Sequence, residues 1–274
     1  MIPEELSISE VEKIYQKIKP FINITPLKKA NKIIDDNLNT NVYLKFECFQ
    51  MSGSFKARGA INNILSSDKK ELDNGITAVS AGNHAIATSY VANLFNLKNK
   101  IFLYESANPY RFNACKSYNA NISITNAKSA FDEVNNAENE GYKFVHPFDG
   151  ANTLQGSATL GLEIANQINE LNIKIDNVLI SVGGGGLISG VGSILKQFFP
   201  NINILGIEPD EAKGITDSLK VDIPLNNVHI NSIADSLCAP LHMPYSFSIA
   251  KQVINKMINI SDKDMINAML YAFK

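Results

Sequence analysis

The chain has 274 residues, 45% of them apolar, which is enough to bury a sizeable core and close to the length at which one core divides in two. Its 25 basic and 27 acidic residues leave a net charge of -2, so no global field draws it to nucleic acid or to an anionic membrane, and a small molecule is the expected partner. Cys48, Cys115 and Cys238 form no CxxC pair and are odd in number, which argues against a disulfide framework or a zinc site and favours a reducing, cytoplasmic setting.

The opening stretch MIPEELSISEVEKIYQKIK is amphipathic and acidic early, unlike a signal peptide, and Ser9 with Glu12 predicts a capping box at its helix. No run of about 18 apolar residues predicts a membrane span. Short β-branched or aromatic runs then alternate with helical patterns: VYLKFE at 42–47, ITAVS at 76–80, KIFLY at 100–104, NISIT at 121–125, NVLISV at 177–182 and NILGIE at 203–208. That alternation predicts an α/β fold with largely parallel sheet. Ser261 with Asp264 predicts a second capping box, whose helix runs to Lys274 without Gly, Pro or turn, the pattern of a chain that stops at a helix end.

Three segments carry chemistry. In Ser52-Gly53-Ser54-Phe55-Lys56-Ala57-Arg58-Gly59-Ala60, small residues lead into a helical pattern with a lysine just inside its start. The helix dipole disfavours a cation there, so Lys56 is a candidate for a depressed pKa and for nucleophilic or Schiff-base work; the plainer reading is a solvated lysine beside an N-cap serine. Ser80-Ala81-Gly82-Asn83-His84-Ala85 joins a strand to a helix at the carboxyl end of a parallel sheet, where ligands of such folds bind. His84 reads as a cap or packing residue. Gly183-Gly184-Gly185-Gly186-Leu187 follows another strand, and four glycines let backbone N–H groups surround a phosphate. The Walker lysine and the spaced GxGxxG are both missing, so the phosphate is not expected to belong to ATP or NAD.

In this order, the three segments resemble the threonine dehydratase and serine racemase group of pyridoxal 5'-phosphate enzymes, of the tryptophan-synthase-β fold. Further matches are Thr25-Pro26-Leu27, Lys45-Phe46-Glu47 with Gln50, His146-Pro147-Phe148-Asp149, Thr159-Leu160-Gly161-Leu162-Glu163, Gly206-Ile207-Glu208-Pro209 and Ile233-Ala234-Asp235. The resemblance implies two open, mostly parallel sheets with helices on both faces, a large domain of residues 1–49 plus 146–274 and a small domain of residues 50–145. It implies that Lys56 holds the cofactor as a Schiff base and moves the α-proton, that Phe55 lies near the ring, and that Asn83 bonds the ring hydroxyl. Gly183, Gly184, Gly185, Gly186 and Leu187 would cradle the phosphate, and Ser80, Ala81, Gly82 and Asn83 would receive the carboxylate of an amino-acid substrate. The implied reaction removes the β-hydroxyl of a substrate such as threonine or serine and yields a 2-keto acid and ammonia. Dimerisation is usual in that group, although no residue pattern here establishes a homodimer.

Several positions depart from the group. Ala81 stands where its racemases carry a serine as second acid, which disfavours racemisation, and Gly214 replaces an aspartate that supports a divalent cation, so no metal site is expected. Ile86, Ser157, Ala158 and Ser236 also differ, and they are expected around the substrate. The group's final segments, with a Ser-Gly-x-Asn motif, find no match, which predicts a weakened cofactor site and exposed apolar surface. Three alternatives follow: a β-replacement enzyme, a serine racemase-like protein, and a truncated, non-enzymatic homologue.

Overall fold

The computed structural model describes residues 2–30, 38–126 and 129–272. Within them a four-stranded sheet has the order β5-β4-β3-β6, formed by β3 (Ile76–Ser80), β4 (Asn99–Tyr104), β5 (Ile122–Thr125) and β6 (Lys143–Phe144), with every pair parallel. A second parallel sheet has the order β7-β8-β9, formed by β7 (Asn177–Ser181), β8 (Asn203–Pro209) and β9 (Lys256–Ile260). The ribbon of β1 (Leu27–Lys29) and β2 (Tyr43–Lys45) is antiparallel. The expected α/β class with parallel sheets is therefore the observed one, and six expected strands form within one or two residues of their predicted ends. The sequence reading missed β9: KMINI mixes apolar with polar residues and becomes a strand by pairing with β8 from Leu205↔Lys256 to Pro209↔Ile260.

The helices are α1 (Ile8–Ile18), α2 (Lys56–Leu65), α3 (Asn83–Leu94), α4 (Pro109–Ser117), α5 (Ala130–Asn139), α6 (Ala151–Glu170), α7 (Gly186–Phe198), α8 (Gly214–Val221), α9 (Pro244–Val253) and α10 (Asp262–Ala272). The cap of α1 corrects the expectation: Ser7, in extended conformation, accepts from the Glu10 N–H at 3.4 Å, and Ser9 lies inside the first turn. The apolar stripe Val11, Tyr15, Ile18 is served by a start two residues earlier. At α10 the predicted capping box forms, with the Ser261 hydroxyl accepting from Asp264 N at 3.1 Å and the Asp264 carboxylate accepting from Ser261 N at 3.4 Å.

The main core is built on α6, a 20-residue helix packed against both α2 and α7. Its approach to α2 requires small residues, because a Cβ on Gly156 would stand 2.4 Å from the Gly59 Cα. Separate apolar clusters fill the two faces of the four-stranded sheet, around Ala78, Ile101 and Leu103 on one side and Val79, Phe102 and Val134 on the other. This leaves the carboxyl ends of β3 and β7, with the turns that follow them, converging on the start of α2. Apolar surface is open on β2 and β7, where Leu44 is 41% and Leu179 65% exposed, and α10 buries none of its residues. No helix among the described residues is long and apolar enough to cross a membrane.

Candidate active site

Lys56 occupies the first position of α2, and the residue before it, Phe55, provides no side-chain cap. The serine-capped, solvated alternative is thereby excluded: the Ser52 and Ser54 hydroxyls are buried without partners, and the lysine points inward. Part of its side chain forms the wall of a cavity of about 1060 Å³, while its ammonium end is enclosed and donates to the Pro147 carbonyl. The Phe55 ring centroid lies 5.1 Å from Nζ. No ion pair to Lys56 is found among the described residues, and burial lowers its pKa from 10.5 to about 8.

The glycine turn lies opposite. Gly185 takes φ +91°, a left-handed conformation that favours glycine, and a Cβ on Gly184 would stand 2.2 Å from the Phe148 ring. Among the described residues, the N–H groups of Gly183 to Gly186 donate to no protein atom. They are followed by α7, whose first N–H groups have no acceptor within the helix. Such a turn offers uncommitted donors, a helix dipole and no side chain in the way, which suits a phosphate.

The turn at His146–Asp149 joins lysine and glycines, and the sequence reading assigned it no role. His146 Nδ1 accepts from Phe148 N at 3.3 Å and from Asp149 N at 3.0 Å, so the neutral ring carries its proton on Nε2. Burial lowers its pKa to about 4, the Asp149 carboxylate opposing that shift and the Lys56 charge adding to it. The turn thereby presents the Pro147 carbonyl to Lys56 and the Phe148 ring to Gly184, while Asp149 accepts from Ser246 N at 2.7 Å at the start of α9. The HPFD wording could have signalled it, but nothing local reveals that one imidazole binds two N–H groups.

Ser80, Ala81, Gly82 and Asn83 line the same cavity. Gly82 N donates to the Ser80 hydroxyl at 3.0 Å, and α3 begins at Asn83 without a side-chain cap. All the residues singled out from the sequence (Phe55, Lys56, Ser80 to Asn83, Gly183 to Gly186 and Leu187) thus border one space. His84 is buried, with Nε2 2.7 Å from the Val145 carbonyl, and burial drives its pKa down to about 3, helped by the Lys56 charge.

Three expectations about the variable positions need correction. Ile86 packs into the cluster of Ala78, Ile101 and Leu103 and does not border the cavity, because the pitch of α3 turns it toward the sheet. Ala158 is likewise wholly buried in the main core, and Ser157 is buried with its hydroxyl donating to the Thr153 carbonyl, so neither borders that cavity. Ser236 does line the cavity, as do Tyr104, Phe131 and Leu237, which were not foreseen. Beside Gly214, the Glu208 carboxylate accepts from Ile215 N at 2.8 Å and from Thr216 N at 3.0 Å, so it is taken up by the start of α8.

Comparisons with known proteins agree with this geometry. A family model described as pyridoxal-phosphate dependent enzyme matches residues 18–274. The chain is 35% identical over 268 residues to a phenylserine dehydratase of Ralstonia pickettii, covering 97% of this chain and 81% of that protein. It is 32% identical over 269 residues to a catabolic L-threonine dehydratase of Staphylococcus aureus (strain N315), covering 96% of this chain and 76% of that one. Among solved structures it is similar to a threonine deaminase of T.th., with TM-score 0.91 and 28% identity, over 98% of this chain and 86% of that chain. Maize serine racemase is similar with TM-score 0.89 and 29% identity, over 97% and 82% of the two chains.

Proposed function

The chain belongs to the family of pyridoxal-phosphate dependent enzymes, and from that premise we propose that it is an ammonia-lyase acting on a β-hydroxy amino acid such as threonine or serine. Water leaves and is taken up again, so the net products are a 2-keto acid and ammonia. The observation that carries the reading is Lys56, enclosed without a counter-ion and facing a glycine turn whose N–H groups are uncommitted.

The residues present fit the cofactor. Gly183 to Gly186, with Leu187 and the start of α7, would hold its phosphate in a turn closed to side chains by Phe148. Phe55 would lie beside the ring, and Asn83 would offer its amide to the ring hydroxyl. When bound, pyridoxal 5'-phosphate supplies an electron sink for the bonds at the substrate α-carbon. Lys56 would anchor it through Nζ and, once freed, take the α-proton. Its pKa, lowered to about 8, brings the neutral amine that a general base requires closer to neutral pH. The start of α3 and the Ser80–Asn83 turn would receive the α-carboxylate. Ala81 carries no proton donor for the opposite face of the substrate, which favours elimination over racemisation.

The two-lobed division belongs to the same proposal: residues 50–145 contain the whole four-stranded sheet and residues 146–274 the whole three-stranded one. So does a cytoplasmic location, supported by three cysteines that are all free thiols.

The test is the visible spectrum of the purified protein with pyridoxal phosphate, before and after borohydride, with the reduced adduct located by peptide mass. The expected result is a band abolished by borohydride and a label on Lys56, followed by keto-acid release from threonine, serine or phenylserine. A label scattered over surface lysines, or full ammonia release by Lys56→Ala, overturns the proposal.

A further inference from the structure

Arg111 does not border the cavity, yet its guanidinium binds two of the segments that do. Its backbone is pinned first: Arg111 N donates at 3.0 Å to Asn108 Oδ1, the cap of α4. From there one terminal nitrogen donates to the Ala81 carbonyl at 3.1 Å and to the Asp235 carboxylate. The other donates to the second Asp235 oxygen at 2.8 Å and to the Ser236 hydroxyl at 3.0 Å. Ala81, Asp235 and Ser236 all line the cavity, although Ala81 and the Asp235–Ser236 pair are distant in sequence.

We propose that Arg111 is a positioning residue for the substrate's α-carboxylate: it ties the Ala81 carbonyl and the Asp235–Ser236 segment together behind the cavity wall. The inference rests on the amino-acid-lyase reading above. A carbonyl oxygen turned into the site would repel a carboxylate, and the guanidinium holds that of Ala81 by a charge-assisted bond. With Gly82 N tied to Ser80, both polar groups of the Ala81–Gly82 peptide are then committed, and the uncapped start of α3 is left to meet the carboxylate. The guanidinium also packs flat on the turn: a Cβ on Gly82 would stand 2.6 Å from Arg111 Cζ. The planar, bidentate geometry is one that lysine cannot reproduce. The Asp235 side chain is 47% exposed against 13% for Arg111, so the pair contributes little to global stability and its loss should be read at the site.

The test compares Arg111→Met, Arg111→Lys and Asp235→Asn, each loaded with pyridoxal phosphate. Arg111→Met is expected to raise KM for the amino acid roughly tenfold or more while kcat changes less than about threefold and borohydride still labels Lys56. Asp235→Asn should raise KM by a smaller factor, and Arg111→Lys should recover part of the loss. Amide hydrogen exchange of the cofactor-free proteins supplies a second readout: residues 80–86 and 232–240 should exchange faster together in Arg111→Met and Asp235→Asn. An unchanged KM, a loss confined to kcat, or unchanged exchange in both segments overturns the latch. Should Lys56 take up no cofactor, the lyase reading falls, and the exchange comparison still decides whether Arg111 holds the two segments.

Discussion

Two buried cations stand two residues apart at the start of α2, and the fold treats them in opposite ways. Arg58 is 0% exposed at its side chain, and its guanidinium donates to both Glu47 oxygens at 2.9 Å and to Glu163 at 2.9 Å. Glu163 in turn holds Lys45, whose ammonium also donates to Gln167 at 2.8 Å, so two positive and two negative side chains balance. Burial alone would lower the Arg58 pKa, but Glu47 and Glu163 outweigh it and the shift is upward. Lys56 has the burial without the carboxylates, and its pKa falls to about 8. A buried cation with partners is a strut; one without partners is held ready to give up its proton. The difference lies in what distant segments bring to each, since both residues sit in the first turn of the same helix.

The contrast is tested most forcefully at Lys56. Lys56→Met should lower turnover by at least about 10⁴-fold, the upper range for loss of an acid–base group, which keto-acid release would measure. The cofactor-free variant should nevertheless be more stable. The folded pKa of about 8 lies below the ordinary 10.5, so the unfolded chain binds more protons between those values and stability rises with pH across that window. Below about pH 8 the full penalty is present. Removing the amine should therefore stabilise the protein at neutral pH by up to about 3 kcal/mol and abolish the rise above pH 8, as urea unfolding at several pH values would show.

Arg58→Met should act in the opposite sense and cost about 3–5 kcal/mol, because Glu47 and Glu163 would be left buried with only Lys45 between them. If denaturant unfolding found both variants more stable than the parent, the distinction between strut and reactive group would fail. Gly184→Ala comes next: the added methyl overlaps the Phe148 ring, which should cost about 1–3 kcal/mol by overpacking and weaken cofactor uptake, read as a higher pyridoxal phosphate concentration for half-maximal absorbance.

A last effect, modest for any one ring, extends the contrast to neutral groups. His84 and His242 are buried and His146 is partly buried, with pKa values lowered to about 3, 4 and 4, desolvation being the main cause for each. Each folded pKa lies below the ordinary 6.5, so stability is fully present above pH 6.5. It is lost as pH falls toward 4, by about 1.4 kcal/mol per pH unit for each ring. Melting temperatures of the cofactor-free protein from pH 7 to 5 should drop accordingly, and a flat profile would contradict buried, neutral rings.

Much of the frame is already written in the order of the residues. β-Branched runs separated by helical periods specify parallel α/β order because that pattern can bury its apolar faces in few other ways. The small-residue turn before Lys56, the SAGN turn and the four glycines were legible for a related reason: turn chemistry and helix starts are local, so three candidate segments could be read without knowing that they meet. Ser261 and Asp264 were legible in the same way, whereas Ser7 displaced Ser9 because the packing of Val11 and Tyr15 chose between two adequate caps. Which charges have partners is settled only once the chain is folded. Glu47 and Glu163 reach Arg58 from 11 and 105 residues away, the His146 turn reaches Lys56 across 91, and Arg111 meets Asp235 across 124. Electrostatic environment is set by distance in space and by exclusion of water, and neither is a property of any window along the chain.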